Sequence, residues 1–302
     1  MSRSVVLGGG GPVGIAWQTG LIVGLAAQGI ALSNADLVVG TSAGSVVGLV
    51  LASGGDLTGV LEMLGEESLR ESSGTAAESS ETAAAIDQAL LKAAGSAATA
   101  DLASDPNGAN RARADLGRAA LSASRIPEER WLARFDVFAG MEWPSEFRCC
   151  TVDAQDGSFR VWGPQDGVPP QLAVAASCAV PLLYPPVRLA GRHWIDGGVR
   201  DMLNADVAAG SDVAAVVSCT LLELPWQLPV PFLDALLAAT RRRVDVLRAD
   251  ARSVVTVVPG AEMLEVSEWG LALMDFTRTR AAYQAGISQA KVEADRLGED
   301  WR

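Results

Sequence analysis

Histidine is the scarcest reactive side chain here: 302 residues carry one, His193. A Ser-His-Asp triad needs an imidazole free to reach the serine, so His193 is the single candidate for that role. Positive charge is also short, with 24 Lys and Arg against 36 Asp and Glu, a net charge of −12. No basic stripe exists to displace counterions, which excludes nucleic acid as a partner. The same balance excludes strong electrostatic docking on anionic lipid. Cysteines number four, Cys149, Cys150, Cys178 and Cys219. Their spacing is not that of a zinc site, and they are expected to be buried, reduced thiols. Long apolar runs are missing: the longest are about ten residues and broken by glycine, too short to span a bilayer. The opening "MSRSVVLGGGG" lacks a charged segment followed by an apolar one, so no secretory signal is expected. The expectation is a cytoplasmic protein, at most peripheral at a membrane.

What is present is apolar bulk. Hydrophobic residues make up 49% and charged residues 20%, enough for a large core and too few charges for global disorder. The first 55 residues alternate strand-like and helix-like runs: "RSVVLGG", a helix over 17–29, "ADLVVG", then a helix from Ser45 to Ala52. That order predicts a mostly parallel sheet covered by helices on both faces, a three-layer α/β/α sandwich. A helix is expected over 56–70, with Asp56 near its N-cap. From 71 to 125 the chain becomes rich in Ala, Ser, Glu and Asp. It is read as a polar helical insertion or cap within one domain spanning 1–302. Strands return at "EFRCCTVDA" and "GSFRVWG", joined by an Asp-Gly turn. "DVAAVVSCT" and "SVVTVVPG" predict two more core strands flanking a helix over 231–250, and 269–297 predicts a final helix.

Three motifs carry chemistry. Gly40-Thr41-Ser42-Ala43-Gly44 fits G-x-S-x-G between an apolar strand and a helix, the context a nucleophile elbow requires. Ser42 is the candidate nucleophile. Its neighbour Ser45 is read as a helix residue and not a second active hydroxyl. "GGGGPVG", Gly8 to Gly14, lies between a strand and a helix. There, side-chain-free residues let amides converge on a developing oxyanion. Pro12 has no N–H, which leaves Gly10, Gly11 and the Val13 amide. "WIDGG" at 194–198 supplies Asp196. His193 lies three residues earlier in a strand-like run, so the two face opposite sides. A Ser42–Asp196 pair is therefore more economical than a triad, because burial can raise a carboxylate's pKa until it serves as a base. The same glycines, Gly9, Gly11 and Gly14, also match the dinucleotide pattern G-x-G-x-x-G. That pattern wants an acid closing the second strand, whereas Asp36 opens it.

In this order, "GGGPVG" (Gly9–Gly14), "GTSAG" (Gly40–Gly44) and "DGG" (Asp196, Gly197, Gly198), with "AASCAVPLLYPPV" before the last, the chain resembles the patatin-like phospholipase family. The resemblance spans about residues 5 to 210. It implies a catalytic dyad of Ser42 and Asp196, an oxyanion hole at Gly10, Gly11 and Val13, and hydrolysis of lipid or simple carboxylic esters without metal or organic cofactor. Val13 stands where the family commonly carries Arg or Lys, so a neutral ester or acylglycerol is as good an expectation as a phospholipid. Acyl transfer or thioester cleavage on the same dyad, nucleotide binding by the glycine loop, and an inactive interaction module are the alternatives. "LLELPWQLPVPF", 221–232, is a candidate acyl-chain lip set against plain packing on the body. The arginine-rich run 241–252 is read as a solvated helix face.

Overall fold

The structure is a computed structural model that describes residues 1–65, 92–123, 126–223 and 231–301. Five strands carry the body of the sheet: β1 (Arg3–Leu7), β2 (Leu37–Thr41), β3 (Phe147–Asp153), β7 (Val213–Val217) and β8 (Ser253–Val257). β3 is flanked in sequence by β4 (Phe159–Trp162), and later by β5 (Val187–Leu189) and β6 (Arg192–Asp196). Strand pairing runs β5-β6-β3-β2-β1-β7-β8, with β4 also paired to β3. β8, β7, β1, β2 and β3 run parallel, and β4, β5 and β6 join antiparallel. The sheet is thus mixed and mostly parallel, as expected.

Strand residues alternate between two cores, as the two-residue period requires. Val5, Leu7, Val38, Ala215 and Val217 face one side, while Val6, Val39, Ala214 and Val216 face the other. The first side is covered by α1 (Gly11–Ala27), α2 (Ala43–Ala52), α5 (Pro170–Ser177) and α8 (Thr279–Trp301). The second is covered by α6 (Pro231–Asp250), through Val244 and Leu247. Two elements begin elsewhere than expected. α1 starts at Gly11, not 17, because the glycine loop closes directly into the first turn with Pro12 near its start. α8 starts at Thr279, not 269, because α7 (Ala261–Val266) ends early and two 3-10 turns, Glu268–Gly270 and Phe276–Arg278, with a loop between them fill the interval.

Of the expected insertion, 92–102 is helical and α3 (Pro106–Ala123) follows. Leu116 and Ala93 pack with Val152 and Ile195 of the sheet. The remainder, 71–91 and 124–125, lies outside the described residues, as does most of the 221–232 lip. Residues 59–65 of the expected 56–70 helix are helical, and Asp56 Oδ1 accepts from Thr58 N–H just ahead of them. A short helix, α4 (Glu128–Leu132), precedes β3. All four cysteines are buried free thiols, and burial pushes Cys150 and Cys219 up to about 12. Among the described residues no helix is long and apolar enough to cross a membrane.

Candidate active site

Register brings Ser42 and Asp196 together. β2 pairs with β3 as far as Thr41 opposite Cys150. β6 approaches from the other direction and pairs with the next residues of β3, ending with Asp196 opposite Thr151. β4 lies along the remaining edge of β3, so β2 and β6 abut on a shared edge. The residue after one strand and the last residue of the other meet there.

Ser42 sits in the sharp turn between β2 and α2 with φ 51° and ψ −120°. This backbone is rare for a side chain other than glycine and persists only where its surroundings impose it. Several contacts impose it here. Ser42 N–H donates to Ser177 Oγ at 2.9 Å, and Ser177 donates in turn to Cys150 O at 2.7 Å. Ser42 O accepts from Ser45 Oγ at 2.7 Å and from Cys178 Sγ at 3.3 Å. Ser45 is thus a helix residue that buttresses the turn. Gly44 lets the turn press on β1: a Cβ there would lie 2.0 Å from Leu7 O.

Asp196 is 4% exposed and Ser42 7%. Asp196 Oδ1 accepts from Gly198 N–H at 2.7 Å, while the buried Oδ2 makes no hydrogen bond of good geometry. Burial raises the carboxyl from 3.8 to about 7, opposed by the Gly198 amide and, least of all, by the Ser42 hydroxyl beside it. His193 is one of the strand residues pointing elsewhere: it pairs with Arg188 on β5.

The glycine loop completes the cluster. A Cβ on Gly9 would lie 3.4 Å from Ser42 Cβ, and Gly9 N–H donates to Met202 O, just beyond the Asp196 turn, at 2.8 Å. One expected donor is engaged: Val13 N–H donates to Leu273 O at 3.2 Å. Asp36, the acid weighed for a nucleotide ribose, accepts from Arg3 N–H at 2.7 Å.

Asn204 joins the two halves from behind and was not singled out by sequence reasoning. It is fully buried and left-handed, with φ 52°. Its Nδ2 lies 3.0 Å from Thr41 Oγ1, 3.3 Å from Gly197 O and 2.8 Å from Asp201 O. The residue before Ser42 and the residue after Asp196 therefore share one amide group.

Ser42 opens onto an apolar cleft. Ile15, Val46, Met63, Leu64, Trp131 and Phe135 are among its walls. Arg134 is the charged residue on the described lining, its guanidinium over the Trp131 and Tyr184 rings at 5.3 and 5.5 Å. A serine at the floor of an apolar cleft, with a neutral-range carboxyl behind it, is equipped for attack on an ester carrying a hydrocarbon chain.

The family model for patatin-like phospholipase matches residues 5–209, which include all three motifs. The chain belongs to the patatin-like phospholipase family. It is accordingly an ester hydrolase of lipid type. Among solved structures it is similar to VipD from Legionella pneumophila, at 16% identity and a TM-score of 0.41, over 96% of this chain and 67% of that one. No curated protein matches. The patatin-like motifs are the ones that the fold gathers around the β2–β6 junction.

Proposed function

We propose that this patatin-like phospholipase hydrolyses lipid carboxylic esters through Ser42 as nucleophile and Asp196 as base. The ester carbonyl sits over the glycine loop, where the Gly10 and Gly11 amides face the developing oxyanion. Ser42 Oγ attacks the carbonyl carbon as its proton passes to Asp196. The tetrahedral intermediate collapses, and the leaving alcohol or lysolipid takes that proton. Water, deprotonated by Asp196, then cleaves the acyl-enzyme and frees the fatty acid. The observation that carries this reading is a buried carboxyl raised to about 7 beside the Ser42 hydroxyl, because a general base works best when its pKa lies near the working pH.

The cleft supports an acyl chain as the bound group, and Arg134 at its wall favours a lipid with phosphate over a neutral acylglycerol. The nucleotide alternative fares poorly. The Gly8, Gly9 and Val13 amides are taken by Val217, Met202 and Leu273 carbonyls, so few remain for a pyrophosphate.

The test is turnover of a panel of p-nitrophenyl esters, lysophospholipids, phospholipids and acylglycerols, with a fluorophosphonate probe alongside. Ser42→Ala and Asp196→Asn should each lose nearly all turnover, and the probe should label Ser42 alone. Either variant turning over at the wild-type rate would remove the pair. Acyl products on an added alcohol or thiol, in place of free fatty acid, would make the enzyme a transferase on the same residues.

A further inference from the structure

Three large apolar side chains crowd the interval between α7 and α8 and open to solvent: Trp269 at 53%, Leu271 at 88% and Met274 at 39% exposure. The backbone turns them outward. Glu268, Trp269 and Gly270 are consecutive left-handed residues, with φ of 49°, 59° and 96°, a conformation costly for the first two. Ser267 braces the turn, accepting from Gly270 N–H on its Oγ at 3.2 Å and from Ala272 N–H on its O at 2.8 Å. Isolated exposed apolar residues are ordinary, but a contiguous group beside an apolar cleft marks a contact surface.

The inner side of the same segment reaches the site. Leu273 O accepts from Val13 N–H at the start of α1. Gly11, at φ +56°, is overlaid so closely that a Cβ there would lie 2.6 Å from Leu273 O and 2.7 Å from Met274 Sδ. Met274 and Phe276 then line the cleft that ends at Ser42. One stretch therefore has apolar side chains toward solvent, a carbonyl on a glycine-loop amide, and its end in the cleft wall.

We infer that residues 267–276 are a docking strap for a zwitterionic lipid surface, in which Trp269 and Leu271 enter the interface and Leu273 O leaves Val13 N–H. This inference rests on the ester-hydrolase reading for its purpose and on the geometry of the strap for its content. A main-chain carbonyl and an ester carbonyl are the same kind of acceptor, and one N–H directed at Leu273 is withheld from substrate. Withdrawal of the strap adds a third donor to Gly10 and Gly11. Tryptophan and leucine suit the headgroup boundary, where one end of a side chain is apolar and the other wet. The charge of the surface follows from the surroundings. The protein carries −12, Glu262 and Glu265 stand exposed just before the strap, and Arg278 is engaged by Glu268 and Asp275, so an anionic surface repels it.

The experiment is co-sedimentation with phosphatidylcholine vesicles, run in Ser42→Ala protein so that no lipid is consumed. The Ser42→Ala protein should pellet with these vesicles. Adding Leu271→Asp, or separately Trp269→Ala, should cut the partition coefficient about tenfold, the effect of losing one buried apolar side chain from the interface. With Ser42 restored, both variants should hydrolyse a soluble p-nitrophenyl acetate within about twofold of the parent while losing turnover of vesicle phospholipid. No pelleting by the parent, full pelleting by both variants, or tighter binding to phosphatidylserine vesicles would each overturn the inference. Strap-dependent pelleting in a protein that never hydrolyses any ester would uphold the docking surface and defeat the hydrolase reading instead.

Discussion

Burial holds the Asp196 carboxyl at about 7 against an ordinary 3.8, and this sets opposite demands on activity and stability. In the proposed role of base Asp196 must be ionised, so on that reading kcat/KM for a soluble ester should rise with pH through about 7 and level off above it. For stability the sign reverses. Between 3.8 and about 7 the unfolded chain has released its proton while the folded protein keeps it, so stability falls as pH rises across that window. Above it the full penalty stands, at most about 4 kcal/mol. Asp196→Asn should therefore melt higher than wild type at pH 8 by calorimetry, with the gain shrinking toward pH 4. A lower melting temperature at pH 8 would show the carboxylate to be stabilising. Asn204 gives a second prediction. Asn204→Asp keeps the shape but replaces the amide donor that Thr41 Oγ1 and Gly197 O share. Its kcat on a soluble ester should fall roughly tenfold or more, with KM little changed, because positioning is lost and not binding. The turns at Ser42 and Asp196 were legible in sequence because glycines stand at fixed places beside both, G-x-S-x-G around the one and Gly197-Gly198 after the other. Asn204 and Ser177 were not, since a single buried polar residue leaves no periodic trace. The engagement of Val13 by Leu273 was hidden for a plainer reason: the two stand far apart in the chain.

Elements were legible wherever local period and long-range burial agreed. β1, β2, β7 and β8 are short β-branched or alanine-rich runs bounded by glycine, proline or polar residues, and each lies where its composition placed it. The starts of α1 and α8 shifted because tertiary contacts decided them. At the glycine loop, residues with poor helix propensity are drawn into the first turn of α1. Before α8, an apolar run with helical spacing became two short turns and a loop. What no local pattern revealed is the end-to-end meeting of β2 and β6 on β3, which is a matter of register. The elbow depends on that junction and on α2 pressing against β1. Gly44→Ala tests the second requirement. Its Cβ would stand 2.0 Å from Leu7 O and 2.3 Å from Leu7 C, with backbone and not a flexible side chain in the way. The substitution should destabilise by about 3 kcal/mol or more, read as a lower urea midpoint. Activity should fall even where the variant is folded, because α2 cannot return to its place without moving Ser42.

Behind the candidate site, charge is gathered into the interior and ties distant parts of the chain together. Asp101 binds both Arg113 and Arg243. Arg243 lies 3.5 Å from Asp201 Oδ2, which also accepts from Thr240 Oγ1 at 2.6 Å. Asp201 Oδ1 accepts from Asn204 N–H at 2.7 Å, so the chain of contacts runs from the 92–102 helix, through α3 and α6, to the amide that joins Thr41 and Gly197. Arg243 and its neighbours were expected to form a solvated face. Helical spacing alone does not tell which side of α6 turns inward, and here Arg243 is buried. Such a network is held by mutual compensation and not by gain over apolar packing: desolvation draws the Arg113 pKa down and Asp101 opposes it. Removing one partner is then worse than removing two. Asp101→Ala leaves Arg113, whose side chain is 4% exposed, without its carboxylate, and should cost about 3–5 kcal/mol in urea unfolding. Adding Arg113→Met to the same protein should recover a large part of that loss, because the uncompensated charge is gone and its volume is kept. Equal instability of the single and double variants would mean that the network stabilises by attraction in its own right.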